Sequence, residues 1–358
     1  MKAELEKARS LVAELVGADA DGVIFTSGAT EAAQLALTPD ISSGGTKRPA
    51  SKLYVLATEH PCILAGGRFS ADQIVEIPVL SSGLVDMEAF DQALANHNEE
   101  EGMPYLAVQL ANSETGVIQP VAELAQKVRF KGGYVLCDAV QGAGRISIDI
   151  KEIGVDFLLI SAHKFGGPQG IGALVCAHTM LEMPPAITGG GQEKYRRAGT
   201  ENVAAVAGFG KAAEIAAQKL DQMSHISSLR DSIADRLHPI CASNGLGAER
   251  ICVFGHETKR LGNTLLFSVE GLKAETALIA FDLDGVAVSS GSACSSGKVG
   301  RSHVLQAMGV SEDQARGAIR VSLGWNSSQA DVDKFCFAFD RITRRLGEML
   351  KEEISGAA

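Results

Sequence analysis

No apolar stretch in this 358-residue chain is long enough to span a bilayer, so no segment qualifies as a membrane helix. No basic run exceeds a pair such as Arg196-Arg197 or Arg344-Arg345, and the formal net charge is −10. Binding along a phosphate backbone needs clustered Lys and Arg, so no nucleic-acid partner is expected. The opening Met-Lys-Ala-Glu-Leu-Glu-Lys-Ala-Arg mixes charges of both signs and carries no apolar signal core, so nothing in it asks for export. The seven cysteines (Cys62, Cys137, Cys176, Cys241, Cys252, Cys294 and Cys336) are odd in number and scattered, and none stands in a C-x-x-C pair. That pattern speaks against a disulfide frame and against a metal site, and predicts a reducing, cytoplasmic setting.

What is present is the balance of an ordinary globular protein, 46% hydrophobic and 21% charged. The length exceeds one simple core and predicts a large domain over 1–218 and a small one over 219–358, divided at the end of the long Ala-rich helical pattern from about Glu201 to Leu220. Residues 3–16 carry apolar side chains at helical spacing and stop at Gly17. Val23–Phe25, Leu53–Ala57, Tyr105–Leu110, Tyr134–Cys137, Phe157–Ile160 and Gly172–Cys176 read as strands. Most are apolar throughout, as strands buried on both faces of a parallel sheet are. Helical patterns such as Pro120–Val128 lie between them, and the alternation predicts an α/β layered fold. Ile41–Ser51 reads as a loop, and Asn263–Val269, Val286–Ser289 and Ile319–Ser322 as strands of the small domain.

Four places carry candidate chemistry. Thr26-Ser27-Gly28-Ala29-Thr30 turns a strand into a helix and offers backbone N–H groups to a phosphate, although a capped turn has the same composition. Asp138 ends an apolar run, placed either to pair with a protonated ring nitrogen or to cap a helix. Ser161-Ala162-His163-Lys164, followed by Phe165-Gly166-Gly167, sets a lysine on a turn after a buried strand, where desolvation favours the uncharged, nucleophilic amine. Cys294, alone among the cysteines, lies in a polar run of small residues, Ser289-Ser290-Gly291-Ser292-Ala293-Cys294-Ser295-Ser296-Gly297-Lys298. Lys298 and Arg301 would favour its thiolate, and Arg320 could clamp a carboxylate.

Taken in this order, Ser-Gly-Ala-Thr-Glu, Thr-Glu-His, Glu-Thr-Gly-Val-Ile-Gln, Asp-Ala-Val-Gln, Ser-Ala-His-Lys, Arg-Ala-Gly-Thr-Glu-Asn and Ser-Gly-Ser-Ala-Cys resemble the cysteine desulfurases of the class V aminotransferase group. The resemblance covers nearly the whole chain. It implies a fold type I, PLP-dependent aminotransferase-like architecture: a mainly parallel sheet sandwiched by helices, plus a smaller C-terminal α/β domain carrying the Cys294 loop. It also implies pyridoxal 5′-phosphate (PLP) joined to Lys164, which later moves the substrate's α-proton. Asp138 would pair with the ring nitrogen, His60 stack on the ring, and Gln141 bond its oxygen. Ala29, Thr30, Ser161 and His163 would hold the phosphate, and Thr200 would reach the phosphate of a partner subunit in a homodimer. Arg320 would bind the carboxylate of L-cysteine. Cys294 would take its sulfur as a persulfide, releasing L-alanine, and pass the sulfur to a scaffold or carrier protein for iron–sulfur cluster assembly or thiolation.

Two departures stand out. Ser113 follows Asn112 where the family usually has a second Asn that contacts substrate, which predicts a weaker contact there. The family also begins several dozen residues earlier, with a strand and an Asn-Pro-Ser-Ser-like segment that line the substrate channel. The numbered start is then either an internal methionine or the start of a shortened protein. A related PLP enzyme (a selenocysteine lyase or an aminotransferase) and a shortened, non-catalytic sulfur-transfer partner remain the alternatives.

Overall fold

The computed structural model describes residues 1–291 and 301–356, so Cys294 and Lys298 lie outside the described residues. The chain divides into two compact units. The larger takes Met1–Val79, Leu84–Asn112 and Ile118–Asp221; the smaller takes Leu80–Gly83, Ser113–Val117 and the chain from Gln222 onward. A single break near residue 218 does not capture the two short excursions, which are too brief to carry a periodic signal. One of them assigns Ser113 to the smaller unit.

The larger unit is a seven-stranded sheet. Its strands are β1 Val23–Thr26, β2 Ala50–Leu56, β3 Ile74–Ile77, β4 Met103–Gln109, β5 Tyr134–Asp138, β6 Phe157–Ser161 and β7 Gly172–Cys176, in the order β1-β7-β6-β5-β4-β2-β3. Pairings from β6 through β3 are parallel, while β7 runs antiparallel to both β6 and β1. The sheet is therefore mixed but mostly parallel, and a uniformly apolar run such as Gly-Ala-Leu-Val-Cys does not reveal its direction. Every residue of β1, β5, β6 and β7 is buried, as a sheet covered on both faces requires. Helix α1, Lys2–Leu15, buries Ala8, Val12, Ala13 and Leu15. It crosses the helix Val203–Gln218 so closely that a Cβ at Gly210 would lie 2.6 Å from the Cα of Ala8. The stretch expected to be a loop at Ile41–Ser51 contains a short hairpin, Ser42–Ser43 with Thr46–Lys47, before β2 begins at Ala50.

The smaller unit has a four-stranded antiparallel sheet, β8 Ile251–Val253, β9 Thr264–Val269, β10 Ser289–Ser290 and β11 Ile319–Ser322, ordered β8-β9-β11-β10. The strand expected at Val286–Ser289 shrinks to Ser289–Ser290, because the Val286 N–H is taken by Phe281 O at the end of the preceding helix. The core includes the rings of Phe267, Phe281, Phe335 and Phe339, with centroids 5.1 to 6.2 Å apart. Each such buried ring stabilises the unit by about 2–3 kcal/mol. They join the helices Met223–Ser243 and Gln329–Gly356 to the sheet.

Candidate active site

The larger unit collects its polar side chains at the carboxyl ends of its strands, where open α/β sheets take ligands. The register pairs Gln109 with Asp138 at the ends of β4 and β5. On the other side, Thr26 and Ser161 both face Gly172. The reversed direction of β7 lets β1 end at the same edge as β6, which sets the turn into α2 (Ala29–Ala36) beside Ser161. Gly172 makes this possible: a Cβ there would lie 2.7 Å from Ile160 O and 2.8 Å from the Cα of Gly28. Helix α2 receives its first backbone bond at the Ala32 N–H. The N–H groups of Gly28, Ala29, Thr30 and Glu31 stand ahead of it and Thr30 is exposed, the composition of an anion-binding helix start.

Lys164 follows β6 on the single 3-10 turn Ala162–Phe165, closed by Gly166 at φ 90°. Its carbonyl accepts a 2.6 Å hydrogen bond from Arg145 Nη2, and Arg145 Nη1 donates to Gln141 O at 2.6 Å. Arg145 thus ties the turn of Lys164 to that of Gln141; burial brings its pKa down to about 10. Ser161 Oγ lies 2.9 Å from His163 Nδ1. Burial first, and the neighbouring Lys164 charge second, lower the pKa of His163. Burial pushes the Asp138 carboxyl up to about 6, against the opposing pull of the Val140 N–H and of Lys164. Asp138 therefore retains a proton more readily than a surface carboxylate and gains most from a cationic partner.

His60 caps the short helix Pro61–Leu64. A buried network fixes the Thr58-Glu59-His60 segment: Glu59 Oε1 accepts from Gln109 N at 2.8 Å, Gln109 Nε2 donates to Thr58 Oγ1 at 2.8 Å, and Asn112 Nδ2 donates to Thr58 O at 3.1 Å. Burial raises the Glu59 carboxyl well above its ordinary range, and Asp138 adds to the rise. A second link holds the turn at Thr26–Thr30. Arg197 forks onto Glu31 at 2.7 and 3.2 Å, and Glu31 also accepts the Ser27 N–H at 2.8 Å. Although burial works the other way, these bonds keep the Glu31 pKa lowered. Thr200 is exposed and lines a shallow cleft with Thr26 and Ser27.

The smaller unit carries Arg320 on β11, facing Leu266 on one side and Ser289 on the other. Arg320 Nη1 donates to Ser113 O at 3.0 Å, while its buried Nε has no hydrogen-bond partner among the described residues. A buried, unmatched N–H of a guanidinium is costly unless an anion completes it. Next to it, burial pushes the Glu114 carboxyl up to about 7, against the hydrogen bond from Ser302 and the charge of Arg320. Ser302 Oγ donates to Glu114 Oε2 at 2.5 Å and accepts from Leu305 N at 3.0 Å.

Residues 1–335 match the model of the family described as Aminotransferase class-V. The chain belongs to that family. It is 34% identical over 361 residues to the cysteine desulfurase IscS of Rickettsia africae, covering 98% of this chain and 84% of the relative. It is 35% identical over 352 residues to cysteine desulfurase IscS 1 of Archaeoglobus fulgidus, covering 96% and 87%. Among solved structures, the NifS-like protein of Rickettsia africae superposes with a TM-score of 0.82 at 32% identity, over 95% of this chain and 88% of that one. DndA of Streptomyces lividans superposes with a TM-score of 0.69 at 30% identity, over 90% and 88%. The fold is that of the NifS- and IscS-like PLP enzymes.

The cofactor that this family implies suits the residues present in the larger unit. A helix start with open N–H groups, a hydroxyl and the Ser161–His163 couple match a phosphate. A buried carboxyl under the pull of a lysine matches a protonated ring nitrogen. Of the residues expected from the sequence, Ala29, Thr30, His60, Asp138, Gln141, Ser161, His163, Lys164 and Thr200 lie in this unit, Ser113 and Arg320 in the other, and Cys294 outside the described residues. Glu59, Gln109, Asn112, Arg145, Gly172 and the Glu31–Arg197 pair were not among those expected. A polar Gln at the end of the apolar run Tyr-Leu-Ala-Val was the one signal available for Gln109.

Proposed function

We propose that this chain is a cysteine desulfurase that converts L-cysteine to L-alanine and keeps the sulfur as a persulfide on Cys294. The observation that carries the reading is the buried Asp138 at a strand end, under the pull of Lys164, in the same unit as the helix start at Gly28–Ala29. When bound, PLP supplies an electron sink that weakens bonds at the substrate's Cα.

The chain's own residues do the rest. Lys164 holds the cofactor covalently and moves the α-proton, its turn kept in place by Arg145. Asp138 would pair with the ring nitrogen and preserve its charge, His60 would cover the ring, and Gln141 would bond the ring oxygen. The N–H of Ala29, with Thr30, Ser161 and His163, neutralises the phosphate. Arg320 takes the substrate carboxylate, satisfying the Nε that the described residues leave unmatched. Cys294 receives the sulfur from its polar segment of small residues. Thr200 of one subunit serves the phosphate of the other in a cytoplasmic homodimer. The sulfur then leaves to a scaffold or carrier protein for iron–sulfur cluster assembly or thiolation.

The test is the visible spectrum of the purified protein mixed with PLP, before and after borohydride reduction. A yellow band fixed by reduction onto Lys164 and a sulfide yield from cysteine that Cys294→Ser abolishes would support the reading. No band in a folded protein, or full sulfide release by Cys294→Ser, would overturn it.

A further inference from the structure

Cys62 lies next to the residue expected to cover the ring, yet nothing in the reaction so far uses it. Its backbone N–H donates to His60 Nδ1 at 3.2 Å, and its Sγ lies 3.0 Å from the same nitrogen. A ring nitrogen that accepts a backbone N–H carries no proton of its own. The thiol facing it must then be the donor, and the imidazole proton sits on Nε2. We propose that Cys62 is a positioning residue that holds His60 neutral, with its proton on Nε2, by adding a thiol donor to the backbone donor on Nδ1. The inference rests on the role given to His60 above and narrows it: in the resting enzyme His60 offers a proton from Nε2 and is not a base.

The surroundings agree with a protonated thiol. Cys62 is buried, 9% exposed. Burial pushes its pKa up to about 12, and the Asp138 and Glu59 carboxyls oppose a second negative charge there. The Thr30 hydroxyl also bears on the thiol and opposes part of that rise. Among the described residues, Asp138 and Glu59 bear on the Cys62 thiol, and Lys164 bears on Asp138.

Two donors on Nδ1 oppose protonation there, so the test is the titration of His60. It is followed by imidazole ¹⁵N shifts in the full chain, as purified and again after PLP loading, with the signal assigned by His60→Gln. Cys62→Ala should raise the protonation constant of His60 about three- to tenfold. Cys62→Ser, with a hydroxyl donor, should return it to within about twofold of the parent. Cys62→Val, close in volume and without a donor, should behave as Cys62→Ala and guards against a variant that fails to fold. An unchanged titration in the Ala and Val variants would mean the thiol does nothing. A lowered constant would mean the parent holds a thiolate–imidazolium pair; either result overturns the proposal. Because the shifts are read before PLP is added, a missing absorption band would sink the catalytic reading while leaving this result to stand or fall separately.

Discussion

In the larger unit Asp138, Glu59 and Gln109 are held at strand ends by backbone partners and by one another, whereas in the smaller unit Arg320 rests on one carbonyl with its Nε unmatched among the described residues. The contrast matches two kinds of ligand. A resident cofactor rewards side chains already locked in place, because their ordering cost is met once, on folding. A substrate that comes and goes needs unspent hydrogen-bonding capacity that each new molecule completes. Glu114, with its pKa pushed up to about 7 by burial, also gives the smaller unit a carboxyl that changes charge near neutrality.

The largest effect expected from breaking this contrast is at Lys164. Lys164→Ala should cut sulfide formation from cysteine on the order of a thousandfold or more and leave no PLP fixed by borohydride. Peptide mapping that finds reduced cofactor on another lysine would show that the larger unit's half of the site is misplaced. Next comes Arg320→Ala, which should raise the KM for cysteine by about 10- to 100-fold, the worth of a charged hydrogen bond, with a far smaller change in kcat. A fall in kcat at constant KM would remove Arg320 from substrate binding.

The titration of the two halves gives a third expectation. Asp138 and Glu114 both have folded-state pKa values above their ordinary ones, at about 6 and about 7. Between about pH 4 and pH 7 these two groups hold fewer protons in the unfolded chain than in the folded one, and their contribution to stability falls as pH rises through that window. Urea denaturation of the PLP-free protein at several pH values should show this fall. Glu114→Gln should flatten it by up to roughly 3 kcal/mol, the size of its rise from 4.5 to about 7. Equal slopes in parent and variant would mean that Glu114 is not neutral in the fold. The smallest effect is at Ser113, whose carbonyl supports Arg320. Ser113→Asn should lower the KM for cysteine about two- to fivefold by restoring an amide donor; identical kinetics would show that the site does without it.

Lys164 and Asp138 stood out in the sequence as candidates because one follows a buried strand on a short turn and the other ends one. Thr30 and Ala29 were legible as a strand-turn-helix of small residues. The residues that hold them were not. Glu31 and Arg197 are 166 positions apart, and Ser302 and Glu114 are 188 apart. Each is an ordinary charged or polar residue in its own neighbourhood. Cys62 looked incidental because its meaning comes from one atom of His60 and one of Thr30.

By itself the sequence determined the α/β alternation and the family, because periodicity and short motifs are local properties of the chain. Only the tertiary structure decided the reversed direction of β7, the transfer of Ser113 to the smaller unit, the pairing of Arg145 with the Lys164 turn and the raised pKa values of Asp138 and Glu114. Strand direction follows from which edge is open when a strand arrives, and desolvation follows from everything packed around a group. Both depend on contacts between distant segments, and no short window of sequence contains them.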